Sequence, residues 1–212
     1  MGADARLSLD RIAAEPGCLS APVRLPDGTG AELRLLQPGD GDAFGRFLDE
    51  LGETTRSLYA PHPLTFEHGR QLCAELQYAG IPTTDPATLR FIGTVPGEVV
   101  AYYILVLGVH NHTSSRYRGH GAPLDGIATC TFAPVVADAW QNRGVGTALV
   151  APVLDAARRL GFARCVLMGG TRAINHRAIR FYAKAGFHKV GDFTTHAPDG
   201  TPIANHDMVL DL

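Results

Sequence analysis

The sequence has little of what marks a secreted, membrane-spanning or metal-built protein. Its four cysteines, Cys18, Cys73, Cys130 and Cys165, lie far apart in 212 residues and form no Cys-x-x-Cys pair. They read as reduced thiols of a cytoplasmic protein, three of them in apolar patterns where Cys acts as a small hydrophobe. The longest apolar run, Val99 to Val109, has 11 residues. That is short of the roughly 20 that cross a bilayer and suits a buried strand, so no membrane partner is expected. The first ten residues carry Asp4, Arg6 and Asp10 without an apolar stretch, so no secretory signal is expected. No internal repeat, low-complexity tract or inter-domain linker stands out. With 45% hydrophobic and 19% charged residues, the chain can bury a sizeable core. Disorder, collagen and coiled coil are excluded as its main character.

Net charge is also small, −2, but the sum hides two unlike parts. Between residues 141 and 190 nine basic residues accompany one acid, Asp155, a segment of +8; the other ten basic and 20 acidic residues make −10. A basic third of this kind reads either as a polyanion site or as solvated helix faces of one sign. It lacks the interleaved aromatics of a nucleic-acid surface, and the whole chain is not basic, so no nucleic-acid partner is expected.

Residues 1–22 mix charged residues, Pro and Gly without a period and read as a flexible leader, leaving 23–212 as one domain. Val23 to Leu25 and Ala31 to Gln37 flank an Asp-Gly turn as a hairpin. Helical spacing predicts helices over about 40–52 (Phe44, Phe47, Leu48, Leu51), Glu67–Tyr78, 144–160 and 175–185. Pro152 predicts a kink in the third of these, or a shortened first turn. Strand-like runs occupy 88–94, 98–109, 127–137, 163–168, 188–195 and 206–212. Segments 54–65 and 111–126 read as loops, the second exposed and rich in Gly and His. Alternating strands and helices with several hairpins give an α/β class with one mixed, mostly antiparallel central sheet.

The informative stretch is Val136-Ala-Asp-Ala-Trp-Gln141-Asn142-Arg143-Gly144-Val145-Gly146-Thr147, where a strand ends, the chain turns through glycines and a helix begins. Free N–H groups at a helix start, with the positive end of the helix dipole, favour phosphate oxygens. This is not a dinucleotide fingerprint, because Leu149 stands where a third glycine belongs, and no Gly-Lys-Ser/Thr makes it a Walker loop. Taken with Gly161-Phe162 and with Asn175-x-x-Ala178-x-x-Phe181-Tyr182-x-x-x-Gly186-Phe187, the Gln141-x-x-Gly144-x-Gly146 spacing resembles the Gcn5-related N-acetyltransferase superfamily over residues 127–190.

The resemblance implies an acyl-CoA N-acyltransferase fold, with a partly splayed sheet that receives acetyl-coenzyme A as cosubstrate. It implies contact of the Val136 backbone with pantetheine, pyrophosphate held by N–H groups of Asn142, Arg143, Gly144, Val145, Gly146 and Thr147, Gln141 in the same set, and Asn175 on the cofactor arm. Tyr182 becomes the general acid that protonates the leaving thiolate. Arg143, Arg172, Arg177 and Arg180 lie in or beside the expected cradle. The acceptor is expected to be a small-molecule primary amine, with a homodimer allowed. Arg56, Tyr59 and His62, the 110–126 loop and the 196–205 hairpin are the expected acceptor side.

Departures from the family pattern leave the base unassigned. Where a carboxylate is common on the strand before the loop, this chain reads Thr129-Cys130-Thr131. Asp138 stands where proline is frequent, and reads as a turn-shaping residue. Asp125, His110 and His112 are the other candidates. His110, His112 and His120 have no Cys or carboxylate at a recognisable ligand spacing, so no metal site is expected. No Gly-x-Ser-x-Gly elbow is present. Two alternatives stay open: a non-catalytic coenzyme A sensor that lacks a base, and an acetyltransferase for protein amino groups.

Overall fold

A computed structural model describes residues 6–76 and 87–212. Nine strands form one sheet: β1 (Ala21–Arg24), β2 (Gly30–Leu35), β3 (Thr88–Val95), β4 (Glu98–Val106), β5 (Thr129–Val136), β6 (Arg164–Leu167), β7 (Thr171–Arg172), β8 (His188–His196) and β9 (Pro202–Asp211). Their order is β1-β2-β3-β4-β5-β6-β9-β7, with β8 also on β9, and only β5 and β6 run parallel. The expected mixed, mostly antiparallel class is what the chain adopts.

Side-chain alternation along the strands divides the core into layers. On one face Phe91, Tyr103, Phe132 and Cys165 pack under α6 (Val145–Arg159), with Tyr182 of α7 (His176–Lys184) in the same cluster. On the other, Ile92, Tyr102, Ile104 and Val135 pack against α2 (Gly41–Asp49) and α4 (Phe66–Ala74). These two helices cross backbone to backbone: a Cβ on Gly69 would stand 2.7 Å from Gly45 Cα. The expected helix at 67–78 begins one residue early, capped by the Thr65 side chain, which accepts from the His68 amide at 3.2 Å. Its expected end at Tyr78 lies outside the described residues. No described helix is long and apolar enough to cross a membrane.

Three expectations are corrected. The described part of the leader is not loose. It forms α1 (Leu9–Ala14) and a 3₁₀ turn, buries Leu7, Ile12 and Leu19, and donates from the Leu7 amide to the Arg159 carbonyl at 2.8 Å. The 54–65 loop contains α3 (Glu53–Leu58). The exposed 111–126 loop begins with α5 (Asn111–Gly119), because Thr113 and Tyr117, one turn apart, are both buried. Pro152 lies inside α6, which runs as one helix from Val145 through Arg159, so of the kink or shortened first turn expected there the shortening does not occur.

What holds α5 is a buried ion pair. Arg116 meets Asp207 of β9 through two bonds of 2.6 and 2.9 Å, His120 Nε2 lies 3.1 Å from the same carboxylate, and Asp207 is fully buried. The Arg116 guanidinium also stacks 3.9 Å over the Phe193 ring. Asp207→Asn strips the countercharge from Arg116 while keeping the shape. It should cost about 3 kcal/mol, a fall of about 6–12 °C in melting temperature. Calorimetry showing no change would mean that α5 is held by packing alone.

Candidate active site

β5 and β6 separate partway along their length. Thr129–Phe132 pair with Arg164–Leu167, and the Met168 amide closes on the Phe132 carbonyl at 2.9 Å. From Ala133 to Val136, β5 has no described strand on that side. A cavity of about 580 Å³ opens there, lined by Phe132–Val136, by 168–172, by the start of α6 and by α7. Its size is that of a small-molecule site.

One end of the cavity is the start of α6. The first N–H groups of a helix have no intrahelical acceptor, and no side chain caps these. Gly144, the N-cap, has φ 77°, and a Cβ there would meet Pro26 Cγ at 2.7 Å. Glycine is therefore required twice over, by the left-handed backbone and by the hairpin turn that sits on it. Asn142, φ 60°, is the only described non-glycine residue with positive φ, a conformation Asn tolerates better than most. At Gly146 a Cβ would touch the Val136 and Phe181 side chains at 3.4 Å. Gln141 fixes the turn, donating from Nε2 to the Val136 carbonyl at 2.8 Å and to Thr55 Oγ1 at 3.1 Å.

At α7, Asn175 is the N-cap, accepting from the Ala178 amide at 3.1 Å. Tyr182 is 8% exposed and packs edge-on to Phe187 with centroids 5.5 Å apart. Burial pushes its phenol well above the ordinary value, with Cys165 adding to the rise. Its hydroxyl therefore stays protonated across the physiological range.

Val136, Gln141, Asn142, Gly144, Val145, Gly146, Thr147, Asn175 and Tyr182 all line this one cavity. Arg143 does not. Its guanidinium bonds Asp27 at 2.6 Å and lies 4.2 Å over the Trp140 ring. The Thr29 amide and hydroxyl, and then Arg143, hold the Asp27 carboxyl down at about 2, so the pair is ionised at neutral pH. Arg172, Arg177, Arg180 and Lys184 supply the positive lining instead, and none forms an ion pair among the described residues. Arg172 Nε is buried without a hydrogen-bond partner. An uncapped helix start, glycine where a side chain would obstruct, and unpaired cations fit a phosphate-bearing group such as coenzyme A.

Other candidates lie elsewhere. The Arg56 guanidinium is consumed by the carbonyls of Leu51, Leu64, Leu48 and Asp49, so it clamps the loop and does not face a ligand. Asp138 accepts from the Gly52 amide at 2.9 Å and from Thr55 Oγ1 at 2.8 Å, tying α3 to the turn. Asp125 accepts the amides of Ile127 and Ala128 just before β5. The His110 and His112 rings stack 5.9 Å apart at the start of α5. None of these lines the cavity, nor does Thr129, Cys130 or Thr131. Of the expected acceptor side, Tyr59 and Asn205 line it, while residues 110–126 do not. No group of three His, Cys, Asp or Glu that could hold a metal occurs among the described residues.

Sequence reasoning missed Thr55, the hub between Gln141 and Asp138, and a polar group around Arg90 and Tyr102. For Arg90 a signal existed. In Leu89-Arg90-Phe91-Ile92, Arg90 shares with Ile92 the strand face under α2 and α4, where a charge is out of pattern.

The acetyltransferase (GNAT) family profile matches residues 54–187, more than half of the chain. No curated protein matches the sequence. Among solved structures, the chain is similar to the GNAT domain of S. lividans PAT, with TM-score 0.64 and 18% identity over 93% of this chain and 99% of that one. It is similar to yncA, a putative acetyltransferase from Salmonella typhimurium with its cofactor acetyl-CoA, with TM-score 0.61 and 18% identity over 86% and 94% of the two chains. It is also similar to Mycobacterium smegmatis RimJ in complex with CoA-disulfide, with TM-score 0.64 and 16% identity over 91% and 86%. The splayed sheet, the glycine turn before α6 and the profile match agree: the chain belongs to the acetyltransferase (GNAT) family.

Proposed function

We propose that the chain is an N-acetyltransferase that passes the acetyl group of acetyl-coenzyme A directly to a primary amine of a small molecule. The observation that carries this is the joining, in one cavity, of an uncapped helix start and a protonated tyrosine. Two of the similar structures hold acetyl-CoA or CoA-disulfide.

The residues divide the work. N–H groups from Asn142 to Thr147 bind pyrophosphate, with Arg172, Arg177, Arg180 and Lys184 beside them for further phosphate charge. Gln141 orients the turn and the Val136 carbonyl. Asn175 orders the start of α7 and so the position of Tyr182. When bound, acetyl-coenzyme A supplies an activated acetyl group and a thiolate leaving group. Tyr182 holds its proton at Oη until that thiolate needs it.

Among the described residues, those lining the cavity include no carboxylate and no imidazole. That observation favours a second reading, a coenzyme A sensor without turnover. Thiol release from acetyl-coenzyme A over a panel of amines separates the two. The enzyme reading expects release with some amines at a rate well above the amine-free control. Tight cofactor binding with no release on any amine would overturn it.

A further inference from the structure

Behind Tyr59, which alone of the group lines the cavity, several polar side chains are buried with atoms that lack partners. Tyr59 Oη, His62 Nε2, His68 Nε2 and Arg90 Nε make no hydrogen bond, and Tyr102 Oη has only the Arg90 side chain within bonding reach. They are neighbours: the His62 ring lies 4.8 Å from His68 and 5.9 Å from Tyr102, and Arg90 bears electrostatically on Tyr59, His62 and Tyr102. Tyr102 is fully buried, and Arg90 forms no ion pair among the described residues. Unmatched donors gathered around a guanidinium in a sheltered position ask for an anion.

We propose that this cluster anchors the acceptor and takes the carboxylate of an amino-acid-like amine, with Arg90 as countercharge and the Tyr59 and Tyr102 hydroxyls as donors. The inference rests on the acetyltransferase reading and narrows its substrate class. Burial keeps both phenols protonated, with Tyr102 pushed up to about 12, so both can donate. His62 adds a second requirement. Its Nδ1 lies 2.8 Å from the Pro63 carbonyl, which can only accept, so the proton of the neutral ring sits on Nδ1 and Nε2 is a bare lone pair. Burial lowers the His62 pKa, which keeps that neutral form. A simple anion such as phosphate would satisfy Arg90 and offer nothing to Nε2. An amino acid brings both a carboxylate and N–H donors. The surrounding acidic chain would by itself suggest a cationic acceptor, but the charge behind Tyr59 is that of Arg90, which is positive.

Matched probes test the proposal: L-amino acids, their amides and the corresponding decarboxylated amines, each with acetyl-coenzyme A and thiol release followed. The free amino acids should show at least tenfold higher kcat/KM than their amides. Arg90→Met should raise KM for the acids tenfold or more, leave the decarboxylated amines unchanged, and leave coenzyme A affinity within twofold. Tyr59→Phe, which removes one hydroxyl, should shift KM in the same direction by less. Equal turnover of acids and amides, or an Arg90→Met effect shared by both, would overturn the carboxylate site while leaving the acetyltransferase reading intact. If no amine releases thiol, that reading fails separately, and melting temperature in the presence of coenzyme A decides the site. Stabilisation by amino acids but not amides, lost in Arg90→Met, supports it; no such stabilisation overturns it.

Discussion

Gly144→Glu should reduce coenzyme A affinity by at least about 100-fold, because several unfavourable effects fall on one backbone position. Residue 144 has φ 77°, where an L side chain is strained by of order 1–3 kcal/mol. A Cβ would stand 2.7 Å from Pro26 Cγ and lift the β1–β2 turn. The new carboxylate would itself occupy the positive end of α6, the place a pyrophosphate needs. A hundredfold loss is about 2.7 kcal/mol, within the reach of these effects combined. Gly144→Ala separates them, since it has the strain and the Pro26 contact without the charge, and should lose about tenfold. Titration calorimetry with coenzyme A measures both, and unchanged affinity in the Glu variant would sink the assignment of the cradle.

Tyr182→Phe should lower kcat by about 10²–10⁴ while coenzyme A affinity stays within about twofold. The substitution keeps the ring that packs on Phe181 and Phe187 and removes only the proton donor. The raised phenol pKa fixes the sign of the pH dependence. A donor works in its protonated form, and burial holds Tyr182 in that form beyond the ordinary tyrosine value. The wild-type rate should therefore show no alkaline fall from Tyr182 below about pH 10, the ordinary value for the side chain. A pH–rate profile with such a fall, or full activity in the Phe variant, would remove the acid role.

The residues that meet in the cavity at the starts of α6 and α7 were legible because they lie close together in the chain. Gln141, Gly144 and Gly146 fall within six residues, and Asn175 and Tyr182 occupy one helix and its cap. What the sequence concealed depends on distant partners. α5 has only Thr113 and Tyr117 as inward marks, and its ion pair joins residues 91 positions apart. Arg143 carries the sign expected of a phosphate ligand, but Asp27, 116 positions away, captures it. Arg56 looked like a binding residue until four carbonyls claimed its guanidinium. The cluster around Arg90 converges from β3, β4, α4 and the turn after α3, so no local window contains it.

Helix α6 works as a spacer between two jobs. Its first turn lines the cavity, and its far end is gripped by the N-terminal segment: Leu7 N on the Arg159 carbonyl, Arg6 Nε on the Leu160 carbonyl at 2.9 Å, and Arg159 on the Cys18 carbonyl. The first two satisfy carbonyls that a helix end otherwise leaves to water. Fifteen residues at 1.5 Å rise make a rod of about 22 Å, stiff enough that fraying at one end and ordering at the other are not independent. Residues 6–20, which read as part of a flexible leader, thus act as a clamp on the far end of α6. Tagging or trimming the chain there should loosen the last turn of α6.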